Sequence, residues 1–385
     1  MSPRRLVGLD VARCLALLGM VATHVVATTG PDGGLSFAHW LAGGRASALF
    51  TVLAGVSLAL MTGRRVPVRG RERGARSAGL AVRALIVASF GLLLGELDSG
   101  LAVILTYYGL LFLLGLVFVG LRAPTLLALA VVWAVLAPVA SQVVRPLLPE
   151  RGFASPAVGQ LADPVQLLSE LTFTGYYPVV PWLAYLLLGL GIGRLDLGRR
   201  SVQLGLVGFG LGVAVAATVG SRLLLERPGV AQRLSEELGP RGAGAAGLRR
   251  QIEGGMFGNT PSGGSWDWLL VVAPHSTTPF DLAQTMGSAL VVVGSCLLVV
   301  AALPPFAERV VAIVFGAGTM TLTLYSLHVL LRTDLLWPPD EGAYAQHALV
   351  LLAIGAVLVA LERRGPLERL VGAASARASA LVRRP

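Results

Sequence analysis

The chain has 385 residues, of which 55% are hydrophobic and only 14% are charged, and its mean hydropathy is +0.73. Soluble proteins carry about 25% charged residues, so this composition disfavours a water-soluble helical protein. The net charge is +10, and all 31 basic residues are arginine. Because these arginines lie mostly between apolar runs, they indicate membrane topology rather than nucleic-acid binding.

The apolar runs predict an all-α fold, a polytopic transmembrane bundle of about ten spans. Several runs approach the roughly 20 residues that cross a bilayer as a helix. A helix is the expected conformation because it satisfies its own backbone hydrogen bonds in lipid. The predicted spans are residues 10–28, 38–62, 78–97, 101–121, 124–144, 177–195, 202–224, 283–303, 310–331 and 346–362.

The distribution of arginine predicts the orientation of these spans. Arginines are dense in 63–76, around 199–200 and after residue 362, whereas the short loops 29–37 and 98–100 contain none. The positive-inside rule places the arginine-rich segments in the cytoplasm. Both termini are therefore predicted to be cytoplasmic, in a multi-pass protein of the plasma membrane.

The chain is expected to form one membrane-embedded domain over residues 1–385. Two outer segments, 145–176 and 225–282, are too long to be simple connections, and loops of this length are usually functional or disordered. Residues 363–385 are predicted to form a basic cytoplasmic tail.

The first span carries three ionisable residues, Asp10, Arg13 and His24. At about 100° per residue the three fall on one stripe, with roughly 16 Å between Arg13 and His24. Ionisable groups inside a bilayer are costly and are functional candidates. For Asp10 and Arg13 the alternative is an ion pair that anchors the helix at the membrane interface, but this does not explain His24.

The ninth span carries a second polar stripe, formed by Thr321, Tyr325, His328 and Arg332. Their spacing of four, three and four residues places them on one helix face. A packing role is the alternative for His328, but this histidine shares its face with other hydrogen-bonding groups.

All five histidines fall in the predicted outer half or in an outer loop: His24, His39, His275, His328 and His347. Histidine can act as a general base or as a transient acyl carrier, and it can also carry protons along a transport path. Histidine pairs three or four residues apart are absent, so no metal is expected. Arginine binds phosphate in bidentate fashion, and Arg45 in the second span is a candidate for this role.

In the first span, Asp10 is followed by two residues and then Arg13, and Arg13 is followed by ten residues and then His24. This order resembles the first span of the transmembrane acyltransferase superfamily. That superfamily includes bacterial membrane O-acyltransferases and heparan-α-glucosaminide N-acetyltransferase-like proteins. Further resemblance lies in residues 44–55, 177–189 and 320–328.

The resemblance implies an acetyl-CoA or other acyl-CoA donor on the cytoplasmic side and an envelope glycan or glycolipid acceptor outside. In the O-acyltransferases the key histidine lies within the first span, as His24 does, whereas in the glucosaminide group it follows that span, as His39 does. Both remain open. The candidate residues are His24, His39 and His328 for catalysis, Asp10, Arg13 and Arg45 for the donor, and Tyr325 and His275 for the acceptor.

The main alternative function is a proton-coupled transporter or flippase of an envelope precursor, with the polar stripes lining its path. A structural or regulatory membrane protein is a third hypothesis. In each case the expected partners are membrane lipids and no nucleic acid, and self-association is left open.

Overall fold

A computed structural model of the chain describes residues 6–31, 33–152, 155–239, 244–334 and 343–383. Three arginines of the predicted cytoplasmic segments, Arg4, Arg5 and Arg384, lie outside these ranges. Within them the fold is all-helical, with one isolated bridge between Thr29 and Leu35. The helices are α1 (Val7–Val25), α2 (Phe37–Ala42), α3 (Arg45–Met61), α4 (Gly70–Gly95), α5 (Leu105–Gly115), α6 (Ala123–Val144), α7 (Pro164–Ser169), α8 (Val179–Gly193), α9 (Arg200–Leu225), α10 (Val230–Glu237), α11 (Gly244–Gly254), α12 (Pro279–Ala301), α13 (Pro305–Val314), α14 (Thr321–Leu331), α15 (Tyr344–Ala360) and α16 (Pro366–Arg383).

Six helical segments in the described residues are long and apolar enough to cross a membrane. A seventh is formed if Pro164–Thr174 and Val179–Gly193, which meet at an angle of 51°, are counted as one broken span. The three other predicted spans contain shorter apolar helices, α5, α14 and α15, of 11, 11 and 17 residues. Length and composition therefore support six or seven spans directly, and not the full ten.

Two predicted spans are interrupted at glycine residues that pack closely against another part of the chain. The span 38–62 is split into α2 and α3 at Gly43 and Gly44, and Gly44 has a φ of +68°, a conformation that favours glycine. The span 310–331 is split into α13 and α14 by a 3₁₀ turn over Gly316–Thr319. Gly318 in this turn packs against the backbone of Asp10, leaving no room for a side chain, so α1 crosses at the break.

Helix α8 is the buried centre of the bundle, and α3, α5 and α6 pack around it. By contrast α9 exposes large apolar side chains along much of its length, including Phe209, Leu211, Val215 and Leu223. An apolar surface of this extent is unfavourable in water and is expected where a helix faces lipid. The long apolar helices and this surface identify a membrane protein.

The connections between helices are divided between two sides of the bundle. On one side, here called the basic side, Arg65 pairs with Asp196, and Arg194 donates to the carbonyls of Thr62 and Val119. The segments before α1 and after α15 reach the same side. The opposite side, here called the histidine side, contains the turn between α1 and α2 and the two long segments 145–176 and 225–282.

The two long segments on the histidine side are folded against each other. Arg145 donates to the carbonyl and the hydroxyl of Thr260, and Arg151 donates to the carbonyl of Phe257. The second segment also has its own small hydrophobic core, built from Val230, Leu234, Leu248, Met256, Trp268, Val271 and Ala273. These segments therefore form an ordered cap rather than loose connections.

The described part of the predicted tail is a helix, α16, that packs along α4. At its end Arg383 pairs with Glu72 of α4. Near its start the Glu368 carboxylate accepts hydrogen bonds from the backbone N–H groups of Leu322 and Thr323 and from the Thr323 hydroxyl. A carboxylate at a helix N-terminus is stabilising, so Glu368 fixes the start of α14 from a distant part of the chain.

Candidate functional site

Helix α1 carries polar groups to both sides of the bundle. Near the basic side, Arg13 Nη1 donates to Asp10 Oδ1 at 2.7 Å and Arg13 Nη2 donates to the Ser57 hydroxyl of α3 at 2.9 Å. His24 lies about 16 Å farther along the helix axis. Asp10 and Arg13 do form the ion pair considered above, but Arg13 and His24 border different cavities.

A basic cavity of about 600 Å³ opens near the start of α1. Its charged residues come from four separate segments: Asp10, Arg13, Arg64, Glu362, Arg363, Arg364 and Glu368. Guanidinium groups offer forked donors that match phosphate oxygens. The cavity therefore suits an anionic ligand of some size.

An apolar cavity of about 190 Å³ continues from the basic cavity into the bundle. Arg13, Thr319 and Glu368 line both cavities. Farther in, the lining is mainly aliphatic and aromatic: Phe50, Leu53, Leu80, Val87, Leu105, Phe112 and Leu322. Tyr325 borders this cavity, and its hydroxyl accepts a hydrogen bond from the backbone of Ile104 at 3.3 Å. Tyr325 is therefore not placed with the histidines that line the opposite side.

A histidine cavity, also of about 190 Å³, lies on the histidine side. It brings together three of the predicted residues, His24, His39 and His275, although they are distant in sequence. His39 lies within 3.1 Å of the Ser36 hydroxyl through Nδ1 and within 3.4 Å of the Thr28 hydroxyl through Nε2. Both its ring nitrogens thus have hydroxyl partners.

His275 belongs to the segment that covers the histidine cavity. Its ring lies among those of Tyr176, Tyr177 and Trp182, with centroids 4.8, 5.5 and 6.2 Å away. Its Nδ1 is buried without a hydrogen-bond partner in the described ranges. Burial lowers the pKa of His275 to about 3, so the ring is neutral at physiological pH.

The apolar and histidine cavities are separated by one layer of polar groups, here called the hydroxyl layer: Ser47, Thr51 and Tyr108. Tyr108 lines the apolar cavity and Ser47 lines the histidine cavity. The Tyr108 and Thr51 hydroxyls are 2.8 Å apart, and both lie within hydrogen-bonding distance of the Ser47 carbonyl, at 3.3 and 2.9 Å. Phe50 stacks on the Tyr108 ring at 5.5 Å.

Three histidines form a continuous row that begins at the histidine cavity with His24, here called the histidine row. His24 Nδ1 is 3.1 Å from His328 Nε2, and the planes of the two rings are nearly parallel, with an angle of 7° between them. His328 Nδ1 is 3.3 Å from His347 Nδ1. His328 and His347 are buried. His328 therefore contacts His24 from behind rather than lining the cavity.

The structure separates the two arginines predicted to hold a donor. Arg45 begins α3 on the histidine side, where its Nη1 donates to the Trp40 carbonyl at 2.6 Å. Arg13, which belongs to α1, contacts Ser57 of α3. Ser57 lies about 18 Å from Arg45 along the axis of α3. One phosphate cannot bridge both. Among the described residues, no group of three or more His, Cys, Asp or Glu side chains has a metal-binding arrangement.

The sequence alone did not indicate the hydroxyl layer, the contact of Glu368 with the start of α14, or the place of His347 at the end of the histidine row. Ser47 and Thr51 are one helical turn apart in the second span, which is a detectable signal for a shared face. Tyr108 and Glu368 gave no such signal, because their partners belong to distant segments.

The sequence matches one protein family. The sequence model of the family described as heparan-alpha-glucosaminide N-acetyltransferase, catalytic, matches residues 5–225, more than half of the chain. No curated protein matches. The matched part contains Asp10, Arg13, His24, His39 and Tyr108, and it ends before the other three histidines. The chain belongs to the family of heparan-alpha-glucosaminide N-acetyltransferase catalytic domains.

Proposed function

We propose that this protein is an acyl-CoA-dependent membrane acyltransferase that moves an acetyl or similar group from cytoplasmic acyl-CoA to an extracytoplasmic glycan or glycolipid. The single observation that carries the proposal is the placement of two dissimilar cavities. The basic cavity continues inward as the apolar cavity, and the histidine cavity lies beyond the hydroxyl layer. Family membership supports an acetyltransferase.

The basic cavity has the chemistry required for the donor. Coenzyme A has several phosphate charges at one end and a narrow, extended arm that ends in the thioester. Arg13, Arg64, Arg363 and Arg364 would hold the phosphates, because arginine pairs with phosphate through charge-assisted hydrogen bonds. The apolar cavity would take the arm and bring the thioester toward Tyr108.

The histidine cavity has the chemistry required for the acceptor. We assign the base to His24, because in the described residues it hydrogen bonds through Nδ1 alone, whereas both nitrogens of His39 meet hydroxyl groups. Its Nε2 is then available to take the proton of an acceptor hydroxyl or amine. His39 and His275 would orient the acceptor, and movement of the Tyr108 side chain would join the two cavities.

The proposal includes the topology that the arginines predict. The basic side would face the cytoplasm, with both termini on it. The three short helices α5, α14 and α15 would complete ten spans inside a plasma-membrane bundle.

The test uses the purified full chain in detergent and acetyl-CoA labelled in its acetyl group. We expect the protein to bind acetyl-CoA, and membranes containing it to transfer label into a lipid-linked or glycan fraction. His24→Ala should bind acetyl-CoA normally but fail to transfer. Absence of acetyl-CoA binding by the wild-type protein would refute the proposal, and solute movement in proteoliposomes without CoA would favour a transporter.

A further inference from the structure

The histidine row contains two members that the proposed reaction does not bring into contact with substrate. His328 belongs to α14 and is 0% exposed, and His347 belongs to α15 and is 1% exposed. Burying two polar rings away from the cavity is costly unless each finds hydrogen-bond partners. Here the rings satisfy each other in sequence, from His24 to His328 to His347.

The row couples the proton positions of its three rings. A neutral imidazole has one N–H donor and one acceptor nitrogen. His328 uses Nε2 toward His24 and Nδ1 toward His347, so one of its neighbours must donate and the other must accept. If His347 Nδ1 accepts, His328 Nδ1 donates to it and His328 Nε2 accepts from His24 Nδ1. This arrangement leaves His24 Nε2 without a proton.

We propose that His328 and His347 are positioning residues that hold His24 in the tautomer protonated on Nδ1, so that its Nε2 is a base toward the histidine cavity. The inference rests on the proposed function, in which His24 acts on the acceptor. It assigns His347 as the residue that sets the state of the whole row, although it lies two rings away from the cavity.

The reaction step balances without a metal or redox partner. His24 Nε2 takes the proton of the acceptor hydroxyl or amine as the acceptor atom forms its bond to the acyl carbon. The bond from that carbon to the coenzyme A sulfur breaks, and the thiolate leaves and takes a proton from water. The imidazolium of His24 is stabilised by donating from Nδ1 to His328, and it then returns its proton to water.

Nuclear magnetic resonance of the full chain with ¹⁵N-labelled histidine tests the tautomer directly. The His24 signals are identified by their loss in His24→Gln. We expect protonation on Nδ1 in the wild-type protein and a mixture of tautomers in His347→Phe, which removes the acceptor for His328. His347→Asn retains a side-chain acceptor close to the Nδ1 position and should preserve the wild-type tautomer.

Kinetics supply the second readout, with Leu351→Ala as the packing control. Leu351 is buried one turn along the same face of α15 and is not part of the row. We expect His347→Phe to lower kcat by about tenfold to a hundredfold with an unchanged KM for acetyl-CoA, and His347→Asn to recover most of the loss.

Two results would overturn the inference: a wild-type tautomer of His24 in His347→Phe, or a loss of kcat no larger than that of Leu351→Ala. The resonance measurement needs no turnover. If His24 is protonated on Nδ1 in a protein that transfers no acetyl group, the positioning role of the row is supported and only the proposed acyltransferase activity is rejected.

Discussion

The cavities at the two ends of the bundle are lined by different kinds of polar side chain. On the basic side, arginines meet carboxylates, as in Arg13 with Asp10, Arg65 with Asp196 and Arg383 with Glu72. On the histidine side, the cavity is lined by imidazoles, hydroxyls and aromatic rings, and its one carboxylate in the described residues, Glu253, pairs with Arg249.

This difference separates the two tasks that an acyl transfer across a bundle needs. Full charges on the basic side can recruit a phosphate-rich ligand from water. Neutral rings on the other side can hold and move a proton, which charged guanidinium groups cannot do. We therefore expect changes on the basic side to alter donor binding, and changes on the histidine side to alter turnover.

The largest effect is expected for His24→Ala. Loss of a general base lowers a rate by about 10² to 10⁴-fold, so kcat should fall by that factor with little change in acetyl-CoA affinity. His39→Ala should cost less, since its nitrogens are engaged with Ser36 and Thr28. Measured transfer rates check both, and a His24→Ala protein retaining more than a tenth of wild-type kcat would contradict the assignment.

The next effect is expected at the basic cavity. Arg363→Gln with Arg364→Gln should weaken acetyl-CoA binding by about tenfold, because both side chains are exposed and each exposed ion pair contributes up to about 1 kcal/mol. Titration calorimetry gives the Kd. The control is Arg249→Gln with Arg250→Gln, an equal change of charge on the histidine side. Equal weakening in both double variants would show that net charge, rather than this cavity, governs binding.

A smaller effect is expected when the hydroxyl layer is opened. Tyr108→Ala should raise the hydrolysis of acetyl-CoA in the absence of acceptor by several-fold, because water from the histidine cavity then reaches the thioester. Tyr108→Phe keeps the ring on Phe50 and should hydrolyse much less. Release of free thiol measures this leak, and indistinguishable rates for the two variants would argue against the layer as the barrier.

The smallest effect concerns His275 and pH. Its pKa is lowered by burial from 6.5 to about 3, so between these values the unfolded chain binds a proton that the native protein does not. The native state therefore loses stability as pH falls below about 6.5. The melting temperature of His275→Gln should drop by about 2 °C less than that of the wild type between pH 7 and pH 4.5. An identical drop would mean that His275 is already protonated in the native state.

The sequence predicted the membrane class, the positions of the apolar helices and the polar stripe of α1, because these depend on composition and on a local period. The convergence of His24, His39 and His275 on one cavity follows the prediction that all histidines share a side. Arg45 and Arg13 had both been assigned to one ligand, but they are far apart because Arg45 begins α3 whereas Arg13 of α1 contacts Ser57 near the other end of α3.

The remaining features depend on contacts between distant segments, which periodicity does not report. The break at Gly318 arises where α1 crosses, and Glu368 caps α14 from the far end of the chain. The hydroxyl layer joins α3 to α5 through Thr51 and Tyr108. Each needs the packed bundle before its partner can be known.

Labelling of single cysteines in sealed vesicles tests the central claim most directly. Thr319→Cys marks the basic cavity and Thr28→Cys marks the histidine cavity, in a background where the buried Cys14 and Cys296 are replaced by alanine. With a membrane-impermeant maleimide, we predict that Thr319→Cys reacts only from the cytoplasmic face and is protected by coenzyme A. Thr28→Cys should react only from the opposite face, without protection. Reaction of both cysteines from one face, or protection of Thr28→Cys alone, would contradict the account.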